Sequence, residues 1–181
     1  MTSWIVMSDS NLPSPDAREA SLYDRLRALG IAWTGYEHVP VFTVEEAAVV
    51  NASQPGGHTK NLFLKDKKGG LWLVVLRDDF RLDLNGLSNQ IGAPRFSFGS
   101  GELLIATLGV PPGSVTPFAL INDTEHRVRV VLDADMLKLA PLNFHPLRND
   151  RTIAVSATDL LRFIADCGHV PEIVNLPQAA P

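Results

Sequence analysis

The stretch "KNLFLKDKKGGLWLVVLR", Lys60 to Arg77, most constrains what this chain can fold into. Two strand-like runs flank Lys67-Lys68-Gly69-Gly70, a turn-forming tetrad, so the segment predicts a β-hairpin. The second run, Leu71 to Leu76, is apolar at every position. A strand that is apolar on both faces is covered on both faces. It therefore belongs inside a sheet with a layer on each side.

The flanking sequence supplies those layers. "SPDAREASLYDRLRALG" is an amphipathic helix with Leu22, Leu26 and Leu29 on one stripe, Ser14 as its cap, Pro15 in the first turn and Gly30 at its end. "TVEEAAVV" opens with Thr43 and has Glu46 three residues on, a capping-box pattern. Further helices are expected in "LDLNGLSNQIG", "SGELLIATLG" and "ATDLLRFIADCG", with a helical turn in "ADMLKLA". Strands are expected in "IAWTGYEH", "RFSF", "FALIND", "RVRVVLD", "LNFHPL", "RTIAVS" and "EIVNL". Helices and strands interleave with short connections, which predicts a single α/β (α+β) domain with a mixed sheet. Residues 14–176 are expected to form it, with 1–13 a flexible N-terminal extension and 177–181 a disordered tail.

A chain of 181 residues is long enough for one domain with a sizeable core. Its net charge of −4 argues against a broad basic surface, so a nucleic-acid partner would need a local patch. The lone Cys167 cannot form an internal disulfide and points to a reducing, cytosolic home. "MTSWIVMSDS" has neither a basic start nor a long apolar core, so it does not read as a signal peptide.

Several chemistries are set aside by spacing. None of the five histidines has a second histidine or a cysteine at metal-ligand spacing, so no metal or cofactor is expected. "FGSGE" is not a nucleophile elbow, and "GGHTK" lacks the spacing of a phosphate loop. Three features remain. Lys60-Asn61 opens a strand, where alternation puts Lys60 on the face of Leu62 and Leu64; it is either a lysine reaching to water or a charge turned into a cleft. "GVPPGSVTPF" contains Pro112-Gly113, a type II turn pair, and reads as a rigid loop or a backbone hook for a ligand. His145 lies in "NFHP", as a core histidine or a site residue.

The order and spacing of "HVPVFTVEEA", "HTKNLFLKDKKGGLWLVVLRDD", "LGVPPGSVTPFALIND", "VRVVLDADML" and "NFHPLRNDRTIAVSATDLLRFI" resemble the YbaK/prolyl-tRNA-synthetase-associated editing family. They are most similar to its free-standing ProXp-ala (PrdX) branch. The resemblance runs from about Ser21 to Val174. It implies a curved, partly barrel-like sheet flanked by helices, and an enzyme that hydrolyses mischarged aminoacyl-tRNA without a metal. The branch implies alanyl-tRNA(Pro) as substrate; cysteinyl-tRNA(Pro), or a non-catalytic tRNA- or synthetase-binding module, are the alternatives.

Carried onto this chain, the resemblance puts the family lysine at Lys60, its G-x-x-x-P loop at Gly113 to Pro117 and its histidine at His145. Lys60 is expected to anchor the tRNA terminus or stabilise developing charge, with Asn61 beside it and His145 orienting the site. Gly113, Ser114, Val115, Thr116 and Pro117 are expected to hold the aminoacyl group, in a small pocket walled by Phe42, Thr43 and Phe144. Lys65, Lys67 and Lys68 at the hairpin turn, with Arg77 and Arg81, form the expected tRNA patch. The expected partner is the acceptor end of tRNA(Pro), with transient contact to prolyl-tRNA synthetase.

Overall fold

The hairpin is the middle of the sheet. In the computed structural model, which describes residues 12–181, β2 (Gly57–Asp66) and β3 (Leu71–Arg77) pair antiparallel from Thr59↔Arg77 to Lys65↔Leu71. Leu71 to Leu76 are all buried, as their double-sided apolar pattern requires. β3 continues in parallel to β5 (Val128–Asp133), and β5 to β8 (Glu172–Val174). From the other edge of β2 the sheet runs through β6 (Leu142–Phe144), β7 (Arg151–Val155) and β1 (Thr34–Glu37). β4 (Phe96–Phe98) pairs with the last residues of β2. The result is an eight-stranded mixed sheet.

Alternation along the hairpin sorts two cores. Phe63, Leu73 and Val75 face the larger one, with Leu22 and Leu26 of α1 (Pro15–Ala28), Leu104 and Leu108 of α4 (Gly101–Leu108), and Phe163 of α5 (Ala157–Asp166). Leu64, Trp72, Val74 and Leu76 face the smaller one, closed by Leu87 of α3 (Leu84–Gln90). Each fully buried leucine contributes roughly 1.5–3 kcal/mol by leaving water. Asp66 holds the turn that joins the strands. Its buried carboxylate accepts from the Lys68 and Gly70 amides and from the Trp72 indole at 2.8, 2.9 and 2.9 Å.

Local signals place most helix starts. Ser14, Ser100 and Ser156 each cap a helix through the hydroxyl. Thr43 and Glu46 form the reciprocal capping box of α2 (Val44–Asn51). No helix among the described residues is long and apolar enough to cross a membrane.

Two expectations are corrected. "FALIND" is a 3-10 helix over Pro117–Asn122, not a strand. Pro117 fixes the first helical φ and the Thr116 hydroxyl caps the Phe118 amide, while burial on all sides erases the periodicity that would have told the two apart. The last residues are not a loose tail: Pro177 accepts from the Asp83 amide and the Ala179 amide donates to Arg81, both at 2.9 Å. Of the expected N-terminal extension, residues 1–11 lie outside the described residues; the Pro13 carbonyl accepts from Arg18.

Candidate active site

The sheet splits at one place. β6 pairs with β2 only at Gly57 and His58, and β4 only from Leu64 onward. The edge between them has no strand partner among the described residues, and Lys60-Asn61 lies on it. Their side chains diverge as alternation demands. Lys60 stands opposite Leu76 and faces the smaller core; Asn61 stands opposite Val75 and faces the larger one. The Lys60 ammonium is not buried among the leucines. It donates to the Phe80 carbonyl just beyond the end of β3.

At this opening lies a cavity of about 330 Å³. Thr59, Lys60 and Asn61 of β2, Phe42 and Thr43 before α2, Ala47 of α2, Gly113 and Val115 of the proline loop, and His145 line it. Glu46 positions the Phe42–Thr43 wall by accepting both amides, at 2.7 and 3.1 Å, and those bonds hold its carboxyl below the usual range. Phe42 is 71% exposed, so its ring stands at the rim rather than in the core. Gly113 has φ +89° in the turn closed by the Ser114 amide on the Pro111 carbonyl at 3.1 Å, a backbone glycine adopts without strain.

Beside the cavity is a recess of about 50 Å³, which shares Asn61 and His145 with it and is lined further by His38, Asn143 and Thr152. The His145 Nδ1 lies 2.9 Å from the Arg151 carbonyl, so it carries the proton and donates. Burial pushes the pKa of His145 down, against that bond and with the neighbouring His38, so the ring is neutral near pH 7. Nε2 is left with its lone pair.

The structure therefore gathers Lys60, Asn61, His145, Gly113, Val115, Phe42 and Thr43 around one cavity. Four other predicted residues fall elsewhere. Ser114, Thr116 and Pro117 are buried, Thr116 as the cap and Pro117 as the start of the 3-10 helix. Phe144 is a core residue packed edge-on against Phe118, with ring centroids 5.7 Å apart, and reaches only the recess. The expected tRNA patch divides. Arg77 closes β3 at the cavity end, paired with Asp79 at 2.9 Å. Lys65, Lys67 and Lys68 sit at the far end of the hairpin, about 20 Å away at ~3.3 Å per strand residue. Residues not predicted also meet here: Thr59, Asn51 and Asp78 at the cavity, and His38 and Asn143 at the recess. His38, Thr59, Asp78 and Asn143 lie within the motifs quoted above, and Asn51 lies outside them.

The profile of the aminoacyl-tRNA editing domain matches residues 38–163, the span that builds both cavity and recess. The chain belongs to the aminoacyl-tRNA editing domain family. It is 41% identical to the zebrafish (Danio rerio) prolyl-tRNA synthetase associated domain-containing protein 1, across 85% of each chain. It is 34% identical to the prolyl-tRNA editing protein ProX of Acetoanaerobium sticklandii, across 89% of this chain and 98% of that one. A crystal structure of a candidate trans-editing enzyme for prolyl-tRNA synthetase superposes with a TM-score of 0.69 at 21% identity, over 92% of this chain and 99% of that one. That likeness establishes the fold. This chain thus shares its mixed-sheet fold with that structure, and the split edge of its sheet carries Lys60 and Asn61.

Proposed function

We propose that this editing domain is a free-standing deacylase that hydrolyses alanyl-tRNA(Pro). The observation that carries the reading is the convergence of Lys60, Asn61, His145, Gly113 and Val115 on one cavity from segments far apart in sequence. An aminoacyl ester is already activated, so hydrolysis needs positioning and charge stabilisation more than a strong nucleophile. Lys60 suits that role. Its partner is a neutral carbonyl, and among the described residues no carboxylate forms an ion pair with it. Its positive charge stays available to the phosphate or ribose oxygens of the terminal nucleotide.

In this reading the aminoacyl group enters between Val115 and Ala47, and the backbone at Gly113 approaches it closely. The vicinal ribose hydroxyl of the terminal adenosine helps deprotonate the attacking water, and His145 orients the site. Size selection follows from the double sieve: a pocket that admits alanine and excludes proline corrects an error that the synthetase cannot prevent, because a missing methylene changes binding by only ~1–3 kcal/mol. The names of its relatives support tRNA(Pro) and prolyl-tRNA synthetase as partners. The lone cysteine supports a cytoplasmic site of action.

The test is a panel of alanyl-, cysteinyl- and prolyl-tRNA(Pro). The alanyl ester should be hydrolysed and the prolyl ester spared. Preference for the cysteinyl ester would reassign the substrate, and no turnover on any of them would leave a binding module.

A further inference from the structure

Asn143 is 3% exposed and stands on no surface a substrate reaches directly. Its Nδ2 donates to the Pro55 and Gly57 carbonyls at 3.0 and 3.1 Å. These bonds fix which way the amide points, since turned over it would set an oxygen against two carbonyl oxygens. Its Oδ1 is thereby committed to the recess, buried and without a partner among the described residues. Asn61 Oδ1 is buried and unpartnered too, and Asn61 lines both recess and cavity. His145 Nε2 adds a lone pair, because Nδ1 is the donor.

Of the other histidines in contact, His38 uses both ring nitrogens, on the Val39 carbonyl at 2.7 Å and the Thr152 hydroxyl at 2.9 Å, and His58 uses Nε2 on the Gln54 carbonyl at 2.9 Å. Buried acceptors are seldom left bare, and the two asparagine oxygens call for a donor. The recess, at about 50 Å³, has room for more than one water, each needing roughly 10–15 Å³. It borders the larger cavity, and the two share Thr59, Asn61 and His145 as lining.

We propose that the recess holds ordered water bound by Asn143, Asn61 and His145, and that this store supplies the hydrolytic nucleophile, with Asn143 a positioning residue. The inference rests on the deacylase reading above. A water that donates one hydrogen to a recess acceptor and the other to the vicinal ribose hydroxyl keeps an oxygen lone pair turned toward the ester carbonyl. That oxygen adds to the ester carbonyl carbon. The carbonyl–ribose oxygen bond then breaks, and the water's proton passes through the vicinal ribose hydroxyl to the departing ribose oxygen. The products are the free amino acid and the uncharged tRNA.

Product partitioning tests the source of the nucleophile. Turnover of alanyl-tRNA(Pro) in about 2 M methanol should give alanine with almost no methyl ester, because methanol has a single O–H and cannot donate both to a recess acceptor and to the ribose hydroxyl. Asn143→Ala removes a recess acceptor and with it that advantage of water, and should raise the methyl ester share at least ~10-fold. This ratio is independent of how much variant is folded. Methyl ester formed by the unaltered protein in proportion to bulk methanol, or an equal ratio in both proteins, would overturn the proposal. A crystal structure at ~1.5 Å gives a readout free of turnover. Water on Asn143 Oδ1 supports the proposal and a dry recess ends it, even if the chain proves to hydrolyse no ester.

Discussion

The Lys60 ammonium donates to the backbone carbonyl of Phe80, a contact that ties the split edge of β2 to the segment after β3. A carbonyl is a weak holder of a lysine, and a phosphate oxygen is a better one. Lys60→Ala should therefore lower deacylation by about 10²-fold, the usual effect of removing one stabilising donor. Stability should fall by only about 1 kcal/mol, a Tm decrease of ~2–4 °C, because the bond is partly exposed. Lys60→Arg keeps the charge and should recover part of the rate. Near-normal turnover by the alanine variant, assayed beside its melting curve, would remove Lys60 from the chemistry.

Val115 is the side chain of the proline loop that faces the cavity. In the deacylase reading its methyl groups are the limit on what enters beside Ala47, which lines the same cavity. Val115→Ala should let larger aminoacyl esters in and raise hydrolysis of prolyl-tRNA(Pro) relative to alanyl-tRNA(Pro) by roughly 10-fold, the value of one or two methylene-sized contacts. Competition between the two esters in one reaction measures this ratio. An unchanged ratio would show that size selection is set elsewhere, with Ala47 the next wall to alter.

What could be read from sequence was local. The capping box of Thr43 and Glu46, the turn at Pro112-Gly113 and the opposite facing of Lys60 and Asn61 each depend on a few neighbouring residues, and each is present. What escaped depends on distant contacts. Asn143 matters because residues 86 and 88 positions earlier accept from its amide, and no spacing rule reports that. Phe144 looked like pocket lining for the same reason: its neighbour His145 faces the site, but the ring turns to Phe118. The lysine patch failed as a single unit because a hairpin brings strands together along their length while keeping its turn far from its open end.

That separation makes its own prediction. Lys65, Lys67 and Lys68 are too distant from Lys60 to touch the ester, yet within reach of a tRNA body whose terminus is in the cavity. Replacing all three with alanine should raise KM for alanyl-tRNA(Pro) and lower the salt dependence of binding, with kcat almost unchanged. Hydrolysis of 3′-alanyl-adenosine, which has no tRNA body, should be unaffected. Equal KM and salt slope in the triple variant and the unaltered protein would clear the hairpin turn of any role in binding.

Asp66 links stability to pH. Burial alone would raise its carboxyl, but the hydrogen bonds from Trp72, Gly70 and Lys68 outweigh burial and hold it below the ordinary carboxylate range. The folded state thus binds this proton less readily than the unfolded chain, where an aspartate titrates near ~3.9. The resulting stabilisation is complete above that value and is lost as pH falls through the depressed folded value. Asp66→Asn removes the charge and, with its oxygen on the Lys68 and Gly70 amides, sets an N–H₂ against the Trp72 indole donor, which should cost about 3 kcal/mol at pH 7. Urea unfolding from pH 7 to 2.5 should show the unaltered protein weakening below about pH 4, while the variant, already weaker, changes less over that window. The two curves should converge in acid. Parallel curves would mean that the turn carboxylate contributes no pH dependence and that its bonds are matched in the unfolded chain.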